Sequence, residues 1–237
     1  PVLAAGGAGA LLLGHGAWMA GFALLLRRLL PPDPPPSLPR LSLPGLLRDH
    51  AAIYASPRLA APAMGFVCYT ICYVALLTLL PPLSGPSMQA ALATGMPLVS
   101  IAVSLSLGVW LLGRLVAVRT VELGFLAAIL GGMALALGWG NYGAQLGASL
   151  WIGGAMGVVQ GASFAAIPAL NPSAEARAQA AGAIAQLGNV GTTAGTPMLG
   201  ALLGLYGAGA VPVFVCLFSG LGLGLHLWQA ARRGRMA

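Results

Sequence analysis

The sequence contains no lysine and few charged residues of any kind. Only 6% of its 237 residues are charged, 58% are hydrophobic, and eleven basic residues against four acidic ones leave a net charge of +7. A water-soluble domain of this composition would have to expose large apolar patches. The shortage of charge therefore predicts an integral membrane protein whose main partner is the lipid bilayer.

Other absences narrow the range of functions. The arginines fall between apolar runs and no basic groove with interleaved aromatic residues is present, so nucleic-acid binding is excluded. Without lysine a retinal Schiff base is also excluded. The three cysteines, Cys68, Cys72 and Cys216, lie inside apolar runs, which argues against a disulfide framework. Phosphate-loop and nucleotide motifs are missing too, and we expect no cofactor and no metal.

Apolar runs are what the sequence has in abundance. A helix needs about 20 apolar residues to cross the hydrocarbon core of a membrane, and seven runs meet that test. They lie at about 2–26, 60–80, 90–113, 120–139, 146–168, 179–205 and 211–229. The runs lack the alternation of a barrel strand, and backbone amides in lipid must be paired internally. The fold class is therefore all-α, a polytopic membrane bundle of seven transmembrane helices.

One long polar interval, residues 27–58, divides the chain. It holds five of the arginines and a dense set of prolines, which deny it a continuous helix. We predict a single transmembrane helix over 1–28, a linker over 29–58 with a short surface helix near 46–54, and a six-helix bundle over 59–237. Because the first residue, Pro1, already lies in an apolar run, we expect upstream sequence to be missing and the chain to be a fragment.

The arginines also predict the orientation in the membrane. They fall in alternate loops, and the intervening loops 81–89, 140–145 and 206–211 carry no charge. Loops rich in arginine stay in the cytoplasm, so the linker and the C-terminus are predicted to be cytoplasmic.

Glycines and prolines within the apolar runs predict where helices approach each other closely and where they bend. Gly153, Gly157 and Gly161 form a small-residue face, as do Gly191 with Gly195 and Gly200 with Gly204, and such faces let two helices approach closely. We expect Pro168 and Pro197 to act as hinges between rigid helix segments.

The order of these segments resembles the major facilitator superfamily from its sixth helix onward. The segment GASFAAIPALNPSAEARAQAAGAIAQLGNVGTTAGTPMLG, residues 161–200, is similar to the tenth and eleventh helices of bacterial members. The segment GVWLLGRLVAVRTVE, residues 108–122, keeps the Gly113, Arg114 and Arg119 of the family's loop between helices eight and nine, without its Asp.

That resemblance implies a secondary active transporter that moves a small solute by alternating access, and not an enzyme. It implies residence in a bacterial inner membrane, and the missing N-terminal helices of the same protein as a partner. Polar side chains on the cavity-facing helices become the candidate solute contacts. They are Gln160, Ser163, Gln186, Asn189, Tyr69 and Tyr73. A proton-coupled carrier needs a titratable group within the membrane, and no charged residue lies deep in a span. His15 is therefore the first candidate for proton coupling, and His226 is the second.

Two alternatives remain open at this stage. Ser163 and His226 lie on separate spans, as the catalytic pair of an intramembrane serine protease would, although the run GASF lacks the G-x-S-G context. Another kind of seven-helix membrane protein is the second alternative.

Overall fold

The computed structural model describes residues 2–30 and 42–235 of the chain. The proline-rich part of the predicted linker, residues 31–41, lies outside the described residues. The chain divides into two compact units, Pro1–Gly45 and Leu46–Ala237. Each unit is considered by itself.

The first unit contains one long helix, α1 (Val2–Leu29), with Arg27 and Arg28 in its last turn. The backbone leaves helical geometry at Gly7, where φ is 67°, a value that glycine tolerates because it has no Cβ. The 23 residues from Gly7 to Leu29 are long and apolar enough to span a membrane. The side chains from Gly7 to Leu29 are exposed, as expected for a helix whose surroundings are lipid or other helices.

The second unit is built from helices joined by very short turns. A surface helix, α2 (Leu43–Ala55), precedes the bundle. The bundle helices are α3 (Ala60–Leu83), α4 (Pro86–Val103), α5 (Val109–Leu112), α6 (Ala117–Gly138), α7 (Tyr142–Leu170), α8 (Ala174–Tyr206) and α9 (Ala210–Gly234). A π-helical turn, Ser104–Gly108, joins α4 to α5, so these two form one continuous span.

Six candidate spans are found among the described residues, and the last of them contains two crossings. That segment, Ala174–Gly234, has 61 residues. As one helix it would be about 90 Å long, roughly three times the thickness of the hydrocarbon core. The 3₁₀ turn Gly207–Gly209 divides it into α8 and α9, which gives seven crossings in the described part of the chain.

Helix α3 lies at the centre of the bundle and contacts α4, α7, α8 and α9. Helix α6 packs against α7 and α9, and α4 packs against α7. Because successive helices alternate in direction, the starts of α3, α6 and α8 and the ends of α5, α7 and α9 share one end of the bundle. Arg114, Arg119, Arg177, Arg232 and Arg233 lie at this end, which we call the arginine-bearing end.

Two glycine faces produce the closest helix contacts. A Cβ built at Gly195 or Gly157 would overlap backbone atoms of Ile71 on α3 or Ser100 on α4, respectively. These contacts confirm the glycine faces of α7 and α8, where small residues let backbones meet. The pair Gly200 and Gly204 was predicted to do the same, but a Cβ built at either position would meet no atom of another described helix within 4 Å.

Candidate functional site

An exposed line of polar side chains runs along α8. Gln186, Asn189 and Thr193 are spaced three and four residues apart, so they share one face of the helix, and all three are exposed. The opposite face carries Gly191 and Gly195, which are buried against α3. The glycine face fixes the rotation of α8 and thereby turns its amide and hydroxyl groups away from the core.

The packing of α8 on α3 also gives the depth of each polar group. Gly195 meets Ile71, which lies near the middle of α3. Asn189 is six residues earlier, which is about 9 Å along the helix axis, and Gln186 is about 14 Å earlier. Asn189 therefore lies between mid-depth and the arginine-bearing end, and Gln186 lies closer to that end.

Helix α7 also carries an exposed amide. Gln160 is exposed, whereas Ser163 is fully buried and its hydroxyl donates to the Val159 carbonyl at 2.7 Å. The nearby Phe164 ring packs edge-on against Phe66 of α3, with centroids 5.4 Å apart. Sequence reasoning placed Gln160 and Ser163 on one face, and the structure separates them into an exposed side chain and a core side chain.

The two candidate tyrosines lie in the core. Tyr69 is 4% exposed and Tyr73 is 5% exposed, and their ring centroids are 5.6 Å apart. The Tyr73 hydroxyl donates to the Met96 carbonyl of α4 at 3.1 Å. In this structure the two rings join α3 to its neighbours and do not form part of the exposed polar line.

A contact that the sequence did not indicate involves Gln186 and the surface helix α2. The Tyr54 hydroxyl donates to Gln186 Oε1 at 2.9 Å, and Gln186 Nε2 lies 3.1 Å from His50 Nε2. His50 Nδ1 lies 2.9 Å from the Leu46 carbonyl oxygen. The only signal in the sequence was the spacing of His50 and Tyr54, which are four residues apart and therefore share a face of the predicted surface helix.

The remaining candidates are distributed over the molecule. His15 is exposed on α1, and Pro168 and Pro197 are exposed on α7 and α8. His226 is 1% exposed and its ring lies beside Phe125, with centroids 6.1 Å apart, and against Gly65. Ser163 and His226 thus have different surroundings, and the structure does not form the serine–histidine pair that a protease would need.

In the described part of the second unit, the charged groups lie near the arginine-bearing end. Glu122, near the start of α6, is the deepest, and its carboxylate accepts from Arg119 at 2.7 Å. Arg177 donates to the Asn171 and Pro172 carbonyls at the turn between α7 and α8. The exposed face of α7 and α8 therefore presents amides and hydroxyls without net charge, groups that suit hydrogen bonding to a neutral polar molecule.

No family model matches the sequence, and no curated protein matches it significantly. Solved structures do match its fold. A crystal structure of a variant of the fucose:proton symporter FucP of E. coli has a TM-score of 0.70 and 17% identity, covering 96% of this chain and 58% of that chain. The chain has the major facilitator fold.

A second structure agrees with this assignment. It is a crystal structure of the major facilitator superfamily transporter FucP in the outward conformation, with a TM-score of 0.67 and 16% identity, covering 86% of this chain and 50% of that chain. The chain thus spans between 50% and 58% of the length of these major facilitator structures. The all-α membrane bundle expected from the sequence is confirmed, and so is its resemblance to part of a major facilitator transporter.

Proposed function

We propose that this chain is the C-terminal portion of a secondary transporter that moves a small neutral polyhydroxylated solute by alternating access. The observation that carries the proposal is the exposed, uncharged polar line of α8, together with the exposed Gln160 of α7, on a major facilitator half. In that fold a solute passes between two halves that rock around a central site, so one half supplies one wall. The N-terminal helices of the whole protein would supply the other.

The chemistry of the exposed face supports the solute class. Each amide of Gln160 and Asn189 offers both donors and acceptors, which match the hydroxyl groups of a sugar. A charged solute would need an opposite charge at this depth, because an unpaired charge in a site away from water is costly. FucP, whose fold this chain resembles, is a fucose:proton symporter. A neutral monosaccharide is accordingly the first solute to test.

Orientation and coupling complete the proposal. Arginine-rich loops remain in the cytoplasm, so the arginine-bearing end and the C-terminus are assigned to the cytoplasmic side of a bacterial inner membrane. His15 is the proposed proton-carrying group because its ring is exposed on α1, whereas the His226 ring is enclosed. Pro168 and Pro197 are proposed as hinges during the change of access.

The experiment is solute uptake by the whole protein in proteoliposomes with an imposed inward proton gradient. We expect uptake of L-fucose or another radiolabelled neutral monosaccharide, and no uptake of sugar phosphates of the same size. Protein-free liposomes and liposomes without the gradient are the controls. Uptake of the phosphorylated sugars alone, or of none of the sugars, would contradict the proposed solute class.

A further inference from the structure

The hydrogen bonds around Gln186 have a single consistent polarity. The Leu46 carbonyl can only accept, so in the neutral form of the His50 ring the proton lies on Nδ1 and the lone pair on Nε2. That lone pair accepts from Gln186 Nε2, which leaves Gln186 Oε1 to accept from Tyr54. The chain of bonds therefore fixes which side of the Gln186 amide carries the oxygen.

Half of the hydrogen-bonding capacity of Gln186 remains available. A glutamine amide has two N–H donors and two lone pairs on its oxygen. His50 uses one donor and Tyr54 uses one lone pair, so one donor and one lone pair remain on an exposed side chain. A free glutamine would lose considerable rotamer entropy on binding a solute, and a glutamine that is already held loses less.

Helix α2 is itself held at its C-terminal end. Arg232 Nη2 donates to the Ala55 carbonyl at 3.0 Å, and Arg233 Nη1 donates to the Pro57 carbonyl at 3.0 Å. Ala55 is the last residue of α2 and Pro57 follows two residues later, a position where backbone acceptors otherwise lack partners. Ile53 and Tyr54 pack against the core of the bundle, and burial raises the pKa of the Tyr54 phenol, which keeps its donor proton in place.

We propose that His50 and Tyr54 of α2 are positioning residues that orient the amide of Gln186 for solute on the arginine-bearing side of the transporter. The surface helix that precedes the six-helix bundle thereby takes part in solute recognition through its contact with Gln186 of α8. This inference rests on the proposed function for its solute, while the contact between α2 and Gln186 can be tested without any solute.

The contact is tested by hydrogen–deuterium exchange of the amides of residues 46–55 in the whole protein. Tyr54→Phe should speed exchange about fivefold, the effect of one net hydrogen bond, and Gln186→Leu, which also removes the bond to His50, should speed it further. The double variant should exchange no faster than Gln186→Leu alone, because Gln186→Leu already breaks the bond that Tyr54→Phe removes. Tyr206→Phe, at the exposed end of α8, is the matched control and should leave exchange unchanged.

The role of Tyr54 in positioning Gln186 is tested by transport kinetics with the neutral sugar that the whole protein takes up. Tyr54→Phe should raise KM roughly three- to tenfold with kcat unchanged, since it removes a binding contribution of about one hydrogen bond. In a Gln186→Leu background the same change should have no further effect on KM.

Three results would overturn the inference. Additive effects in the exchange cycle would show that Tyr54 and Gln186 act separately. A KM effect of Tyr54→Phe that persists in the Gln186→Leu background would show that Tyr54 does not act through Gln186. A coupled exchange cycle with no change in KM would confine α2 to a structural role. Because exchange needs no solute, failure of the proposed sugar transport remains distinguishable from failure of the contact.

Discussion

Asn189 and Gln186 lie one helical turn apart on α8, and their amides have different surroundings. Gln186 is bound by two side chains of α2, whereas no hydrogen-bond partner of Asn189 is found among the described residues. An exposed amide at membrane depth needs a partner, which in a carrier is water or the solute. In the proposed carrier, Asn189 is therefore a residue at which loss of a solute contact is not confounded by loss of a described protein contact.

We expect Asn189→Ala to raise the KM for the transported sugar about tenfold while the protein stays in the membrane at normal abundance. The reason is that removal of one or two hydrogen bonds to solute weakens binding by about 1–2 kcal/mol. Uptake kinetics in proteoliposomes measure the change. Gln89→Leu, an exposed amide in the first turn of α4 at the other end of the bundle, is the control. An unchanged KM for Asn189→Ala would remove this residue from the site.

At the scale of elements, the bundle is held by the approach of α8 to α3. Gly195 faces the backbone of Ile71, and backbone atoms cannot move aside as a flexible side chain can. Lipid tails are as apolar as leucine, so burial of apolar side chains contributes little to helix association, and close packing of this kind contributes more. A single methyl group at Gly195 should therefore separate the two helices.

Gly195→Ala is expected to lower the apparent melting temperature in detergent by about 5 °C, the effect of overpacking by one methyl group. Gly200→Ala adds the same methyl group to the same helix at an open position and should leave the temperature unchanged or slightly higher. The fraction of protein that remains monodisperse after heating is the measurement. Equal melting temperatures for the two variants would show that the glycine contact does not hold α8.

The elements were largely predictable from the sequence, and the reasons are physical. Each crossing needs a long apolar run, so all seven runs were visible without a structure. The ends were less clear, since the predicted loop 81–89 is mostly helical: Pro81 and Pro82 lie in the last turn of α3 and Pro86 begins α4. Proline is tolerated in the first turn of a helix, so Pro86 did not mark a long loop.

Other features could not be predicted because nothing local encodes them. The π-helical turn at Ser104–Gly108 has the same apolar composition as the helix around it. Burial of Tyr69 and Tyr73, and exposure of Gln160 and Asn189, depend on how each helix is rotated by its neighbours. The contact of Tyr54 with Gln186 joins residues 132 positions apart, which no periodicity reveals.

At the scale of the whole molecule, the distribution of charge in the second unit matches the alternating direction of its helices. The helix ends that carry arginine share one end of the second unit, and the turns at Ser84–Gly85 and Gly207–Gly209 carry no charge at the other. Because positively charged loops are retained in the cytoplasm, this difference predicts a side of the membrane for each end. The assignment does not depend on the identity of the solute.

The orientation is tested by labelling single engineered cysteines with a membrane-impermeant maleimide in intact cells and in inverted vesicles. Ser87→Cys, at the uncharged end, should react only in intact cells, and Ala174→Cys, at the arginine-bearing end, only in inverted vesicles, since both positions are exposed. Cys216→Ala in the background removes the half-buried native thiol, while Cys68 and Cys72 are buried and should not react. Reaction of both engineered cysteines from the same side would contradict a membrane lying between the two ends of the bundle, and with it the proposed carrier.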